Sequence, residues 1–152
     1  MHDVLSYKQE VCRKIIHLSS SLFALAVWYF GRDVVLPWII AITILLPLVD
    51  CLRRYFKLFN SIYHTIFNFV TRPNEYQSVS GATWVLLGVG ITILFFSDKI
   101  AIISILVMSL SDSMAAIIGL KYGKTRLFNK SLEGSIAFFI TTYIILLLFI
   151  PN

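Results

Sequence analysis

Residues 109–135 read SLSDSMAAIIGLKYGKTRLFNKSLEGS. The first half continues an apolar run that holds one carboxylate, Asp112. The second half is a loop with Lys121, Lys124, Arg126 and Lys130, after which Leu132 opens another apolar run. Two such runs joined by a short basic loop read as a pair of membrane-spanning helices, because a span takes roughly 20 predominantly apolar residues. Asp112 precedes Lys121 by nine residues, which places it about 12–14 Å below the helix end at ~1.5 Å per residue. A carboxylate at that depth costs about 2.5–3.5 kcal/mol on insertion scales. Two readings offset that cost: a functional site for a metal and phosphates, or an ion pair with Arg13 or Lys14 that only locks the helices together.

The rest of the chain has the same character. Of 152 residues 58% are hydrophobic and mean hydropathy is +0.82, against about 45–50% apolar in soluble domains. The expectation is an all-α integral membrane protein, one multi-pass domain over 1–152, with spans near 15–30, 34–49, 79–96, 100–120 and 132–150 and an interfacial helix over 55–70. The net charge of +5 points to anionic headgroups or phosphates and not to nucleic acid, since the cations sit in short segments between apolar runs. Cys12 and Cys51 lack a CxxC or a nearby His pair, so neither a zinc site nor a disulfide framework is indicated. The apolar run after Arg13 and Lys14 continues through Trp28, Tyr29 and Phe30, past the Ala24-Leu25-Ala26 triplet, and reads as a span, not as a cleaved signal.

In chain order, Arg13, His17, Ser21 and Ala24 recur at helical spacing and predict a polar-to-small stripe facing the bundle. Pro37 and Pro47 lie inside the second run, where they bend a span. Asp50, Arg53, Arg54 and Lys57 mark a membrane surface. Beyond them Tyr55, Leu58, Phe59, Ile62, Tyr63, Ile66, Phe67 and Val70 keep a period near 3.6, as in an amphipathic helix lying in the interface; it is either a spacer or a wall guiding a lipid substrate. Pro73 ends that pattern and fixes Arg72 and Glu75 in a loop. Ser111, Ala115, Gly119 and Gly123 repeat every four residues, a flat groove for another helix or a ligand.

Eleven of the thirteen Lys and Arg residues fall in the N-terminus, the 50–78 segment and the 121–130 loop, leaving Arg32 and Lys99 on the alternate side. The positive-inside rule then puts the N-terminus and the candidate site in the cytoplasm and the C-terminus on the opposite side. The run Gly119 to Thr125, GLKYGKT, is one residue short of a P-loop and follows a helix, so the P-loop is rejected. Its glycines and cations still suit phosphate.

Taken together, Arg13-Lys14 with His17, Arg72-x-x-Glu75 leading to Gly81-Ala82-Thr83 and Leu87-Gly88, Asp112-x-x-Ala115-Ala116-x-x-Gly119-x-x-x-Gly123-Lys124 and Lys130-Ser131-Leu132-Glu133-Gly134-Ser135 resemble the polyprenol kinase family, which includes dolichol, phytol and farnesol kinases and the CTP-dependent diacylglycerol kinase. The resemblance runs over nearly the whole chain. It implies an integral membrane kinase that moves the terminal phosphate of CTP, or a related nucleotide, to a lipid alcohol (polyprenol or dolichol, phytol or diacylglycerol) with a divalent cation, Mg2+ first. Arg13, Lys14, Asp112 and Gly119 match residues regarded as essential there. The expected roles are the metal for Asp112, phosphates for Arg13, Lys14, Arg72, Lys124 and Lys130, close backbone approach for Gly119 and Gly123, and the lipid hydroxyl for His17 and Glu133. Two alternatives stand beside it. The blocks around Asp112 and Lys130 to Gly134 also resemble CDP-diacylglycerol synthases, without their closing metal motif. A non-catalytic or shortened membrane protein is the other, because family members usually continue past the fifth span with a further helical segment.

Overall fold

The structure is a computed structural model that describes residues 7–67, 79–128 and 130–149. It is a helical bundle, in agreement with the expected fold class. In chain order come α1 (Tyr7–Ser19), α2 (Ser21–Phe30), α3 (Arg32–Tyr55), α4 (Lys57–Phe67), α5 (Gly81–Phe95), α6 (Asp98–Leu106), a π-helical turn (Val107–Ser111), α7 (Asp112–Tyr122), a two-residue strand pair β1 (Arg126–Leu127) and β2 (Lys130–Ser131), and α8 (Leu132–Phe149). Four stretches among the described residues are long and apolar enough to cross a membrane: Glu10–Phe30, Arg32–Tyr55, Asp98–Tyr122 and Leu132–Phe149. Gly81–Phe95 is apolar but shorter, at 15 residues.

Several boundaries differ from the sequence reading, each for a local reason. The first span breaks at Ser20. Ser19, Ser20 and Ser21 turn their hydroxyls back onto the carbonyls of Ile16, His17 and Leu18 at 2.6, 2.6 and 2.7 Å, the competition that makes serine a poor helix-interior residue. The expected stripe is interrupted there, and Ala24 lies fully buried in the core. The second span runs on past Val49 to Tyr55, so Asp50 and Arg53 belong to a helix end and not to an exposed surface mark: both are buried. Phe56 is extended (φ −112°, ψ 112°) and separates α3 from the amphipathic helix, which therefore starts at Lys57. Asp98–Tyr122 is not one regular helix, because the π-helical turn interrupts it immediately before Asp112. The basic loop closes as a small antiparallel hairpin with Arg126 opposite Ser131 and Leu127 opposite Lys130.

Helix α7 packs along α8, α3 along α5, and α2 against α6. The core is aliphatic and drawn from several helices, with Ala24 and Val27 of α2, Ile39 of α3, Val89 and Ile93 of α5 and Ile102 and Ile105 of α6 all buried. Large apolar side chains such as Trp38, Phe139, Tyr143 and Leu148 stay on the outside, as they do where the surrounding solvent is lipid. At one end Arg32 donates to Phe96 O at 2.8 Å and to Leu94 O, supplying donors to the carbonyls that α5 leaves unpaired.

Candidate active site

The carboxylate of Asp112 stands at the first residue of α7, just after the π-helical turn. Such turns widen the backbone spiral and disturb the regular carbonyl pairing. One carbonyl in this turn, Met108 O, receives Nε2 of His17 from α1 at 3.0 Å. A carbonyl only accepts, so Nε2 is the nitrogen that carries hydrogen. The same nitrogen lies 3.6 Å from Asp112 Oδ2, beyond a hydrogen bond. One turn earlier on α1, Lys14 Nζ meets that oxygen at 2.5 Å. Ser113 Oγ donates to Lys14 O at 3.3 Å, holding α1 and α7 together from the other side. The side chains of Lys14, His17 and Asp112 are 14%, 17% and 39% exposed, so the pair is sheltered while its carboxylate stays reachable.

Of the two cations expected near Asp112, the structure brings only Lys14. Arg13 points elsewhere and pairs with Glu10 at 3.4 Å, as successive helix residues face about 100° apart. Arg72 lies outside the described residues. Among the described residues no group of three or more His, Cys, Asp and Glu side chains gathers to hold a metal. A lone carboxylate does fit Mg2+ of the kind held by one or two carboxylates together with nucleotide phosphates, and does not fit an all-protein cage.

The Gly119–Gly123 groove is filled by a helix. A Cβ on Gly119 would come 2.7 Å from Ser131 Oγ, and one on Gly134 would come 2.6 Å from Ala115 O and 3.2 Å from the Cα of Gly119. The glycines thus let α7 and the start of α8 touch backbone to backbone, as small residues do in lipid. Glu133 is occupied in the same corner: its Oε1 accepts the backbone N–H groups of Lys124 at 3.1 Å and Thr125 at 3.0 Å, and Leu132 N donates to Thr125 O at 2.9 Å. Glu133 therefore shapes the loop bearing Lys124, while the Lys124 and Lys130 side chains are exposed.

A second polar cluster was not legible as one from the sequence. Arg53 Nε sits 2.8 Å from Asp50 Oδ1, an ion pair without hydrogen-bond alignment, with side chains 1% and 4% exposed. Asp50 Oδ2 accepts from Ser80 N at 2.9 Å and Thr83 Oγ1 at 2.6 Å, and the guanidinium lies over the Tyr63 ring at 4.4 Å. One buried carboxylate thereby ties the end of α3 to the start of α5, and its arginine ties in α4. Ser109, Ser111 and Ser113 around Asp112 are likewise buried, and Ser111 receives Thr142 Oγ1 from α8 at 3.0 Å. Their only signal in the sequence is a run of hydroxyls beside an acid inside an apolar segment.

Bundle and site together define a helical membrane protein in which a lysine–carboxylate pair joins two of the stretches long and apolar enough to cross a membrane. The chain is 35% identical over 141 residues to CTP-dependent diacylglycerol kinase 1 of Eremothecium gossypii, covering 88% of this chain and 44% of that protein. It is 34% identical over 154 residues to the Saccharomyces cerevisiae protein of the same name, covering 95% and 53%. An uncharacterised protein of Methanocaldococcus jannaschii is 33% identical over 142 residues, 91% of this chain and 71% of that one. The chain belongs to the family of the CTP-dependent diacylglycerol kinases and phytol kinases. It spans about half the length of the first two relatives. No family model matches the chain, and no solved structure matches it.

Proposed function

We propose that this protein is a membrane lipid kinase that transfers the terminal phosphate of CTP to the hydroxyl of a membrane lipid alcohol, with its N-terminus and site on the cytoplasmic side. The observation that carries the reading is the Lys14–Asp112 pair, a sheltered lysine on a reachable carboxylate, in a chain whose relatives are named as CTP-dependent diacylglycerol kinases. The clustering of eleven of thirteen Lys and Arg residues supports the orientation.

In the reaction the lipid hydroxyl oxygen bonds to the terminal phosphorus while the bond from that phosphorus to the β-phosphate oxygen breaks. CDP leaves, the hydroxyl proton is released, and a phosphate monoester remains on the lipid. Such a transfer needs mainly in-line positioning and neutralised charge. Lys14 holds Asp112 before nucleotide binds and then turns its ammonium toward the phosphate oxygens. Arg13, Arg72, Lys124 and Lys130 provide further positive charge. Asp112, released from Lys14, would hold Mg2+ with the phosphates, and the ion would supply charge neutralisation there. Gly119 and Gly123 act by letting α8 approach, and Glu133 by setting the loop that carries Lys124. His17 is assigned as a positioning residue: its Nε2–H donates to Met108 O in the turn just before Asp112, so that nitrogen serves the placement of the carboxylate.

The test is incubation of the purified protein with CTP labelled separately at the α and γ phosphates and with diacylglycerol, phytol, polyprenol or phosphatidate. Label from the γ position in lipid is the expected result. Label from the α position would assign cytidylyl transfer, and no transfer of either would overturn the enzymatic reading.

A further inference from the structure

The hairpin between α7 and α8 has a feature that phosphate binding leaves unexplained. Its base is firmly tied: Glu133 Oε1 accepts from Lys124 N and Thr125 N, Leu132 N reaches Thr125 O, and Arg126 and Leu127 pair with Ser131 and Lys130. At its tip stands Phe128, with its backbone in the left-handed region at φ +55° and 94% of its surface exposed. Both properties are unfavourable by themselves. Left-handed backbone at a bulky residue is uncommon, and glycine or asparagine suits it better. The exposed ring recovers nothing from inside the protein. Phe128 is the non-glycine residue with positive φ among the described residues.

Position supplies the missing partner. Both helices that the hairpin joins are long and apolar enough to cross a membrane, one ending at Tyr122 and the other starting at Leu132. A hairpin pinned to these two ends lies at the boundary between lipid and water. That is where segments lying in the interface bury Phe, Trp or Leu side chains at the headgroup–acyl boundary, with basic residues on the water side. Lys121 in the last turn of α7 and Arg126 in the hairpin, both exposed, bring charge complementary to an anionic leaflet to the same connection.

We propose that the hairpin is a membrane-interface anchor that seats the Phe128 ring in the headgroup layer of an anionic leaflet, with Lys121 and Arg126 against its headgroups. The anchor fixes the height of the Lys124 loop above the bilayer, and hence above a substrate whose hydroxyl lies in that layer. It does not depend on which group the protein transfers.

The experiment keeps the ring and the full chain. 4-Trifluoromethylphenylalanine is placed at position 128, the protein is reconstituted in nanodiscs containing phosphatidylserine, and 19F relaxation is read with a headgroup-region nitroxide lipid or with a water-soluble gadolinium chelate. The expected result is stronger relaxation by the nitroxide lipid than by the chelate, with the nitroxide effect falling in discs of phosphatidylcholine alone or on Arg126→Gln. Dominant relaxation by the chelate in phosphatidylserine discs would overturn the proposal. Protection from the chelate that develops only when CTP is added would overturn it too, assigning the ring to the nucleotide instead.

Discussion

Lys14 and Asp112, 98 residues apart in sequence, meet at 2.5 Å across the α1–α7 contact. The pair is sheltered on the lysine side and reachable on the acid side. It therefore both joins two helices and presents a carboxylate that a nucleotide-bound cation can claim.

Asp112→Asn is expected to keep the fold and to lower lipid phosphorylation by about 10²-fold or more, because a charge that stabilises the transition state is lost. Lys14→Met also lowers activity. It destabilises by about 1–2 kcal/mol, a figure reduced from that of fully buried pairs because the carboxylate is partly exposed. The double variant Lys14→Met/Asp112→Asn should regain stability and stay inactive. Thermal unfolding in detergent beside the γ-label assay separates the two effects. Full activity of Asp112→Asn would remove it from the site.

For His17, the hydrogen bond to Met108 O predicts that a donor of similar reach suffices. His17→Gln is expected to retain activity within about tenfold, whereas His17→Leu loses about 10²-fold through misplacement of Asp112 by an ångström or so. The activity–pH profile of His17→Gln should keep the wild-type shape. Loss of a titrating limb in that profile would instead make His17 the proton acceptor.

Between α7 and α8 the close approach at Gly134 leaves no room for a methyl group, with Ala115 O only 2.6 Å from the position it would take. Gly134→Ala is expected to destabilise by about 1–3 kcal/mol through overpacking. Gly88→Ala, at a site with open space around it, should be near neutral. Their melting temperatures in detergent make the comparison.

The Asp50–Arg53 cluster predicts an asymmetry. Arg53→Met leaves a buried carboxylate without its cation, but Ser80 N and Thr83 Oγ1 still donate to that carboxylate. Asp50→Leu removes the acceptor of both donors and also takes the carboxylate from beside the Arg53 guanidinium. The expected losses are about 3–5 kcal/mol for breaking such a pair, with Asp50→Leu the larger because two donors lose their acceptor. Equal melting temperatures for the two variants would contradict this account.

Chelation should abolish transfer if Asp112 acts through a divalent cation held with the nucleotide. Adding EDTA to the γ-label assay and then restoring Mg2+ in excess is expected to remove and return activity. Undiminished transfer in EDTA would separate the carboxylate from any metal role.

Much of this protein is determined by sequence alone. Apolar runs of span length, separated by basic loops, dictate a helical membrane bundle, because only helices satisfy their own backbone in lipid within a single segment. The cost of an acid inside such a run singles out Asp112 before any contact is known. Tertiary structure decided which partners meet. That Lys14 reaches Asp112 while Arg13 turns to Glu10 follows from the rotation of α1 about its axis, which Ser20 ends and packing against α7 sets. That the small-residue groove takes α8 and not a phosphate follows from the hairpin folding Ser131 and Gly134 back onto Gly119. The burial of Asp50 and Arg53 likewise depended on where α5 begins, since Ser80 and Thr83 complete the carboxylate's donors from 30 and 33 residues away. Composition and period act within a segment and are readable from one. Charge pairing across helices depends on their relative rotation, and only the packed bundle sets that.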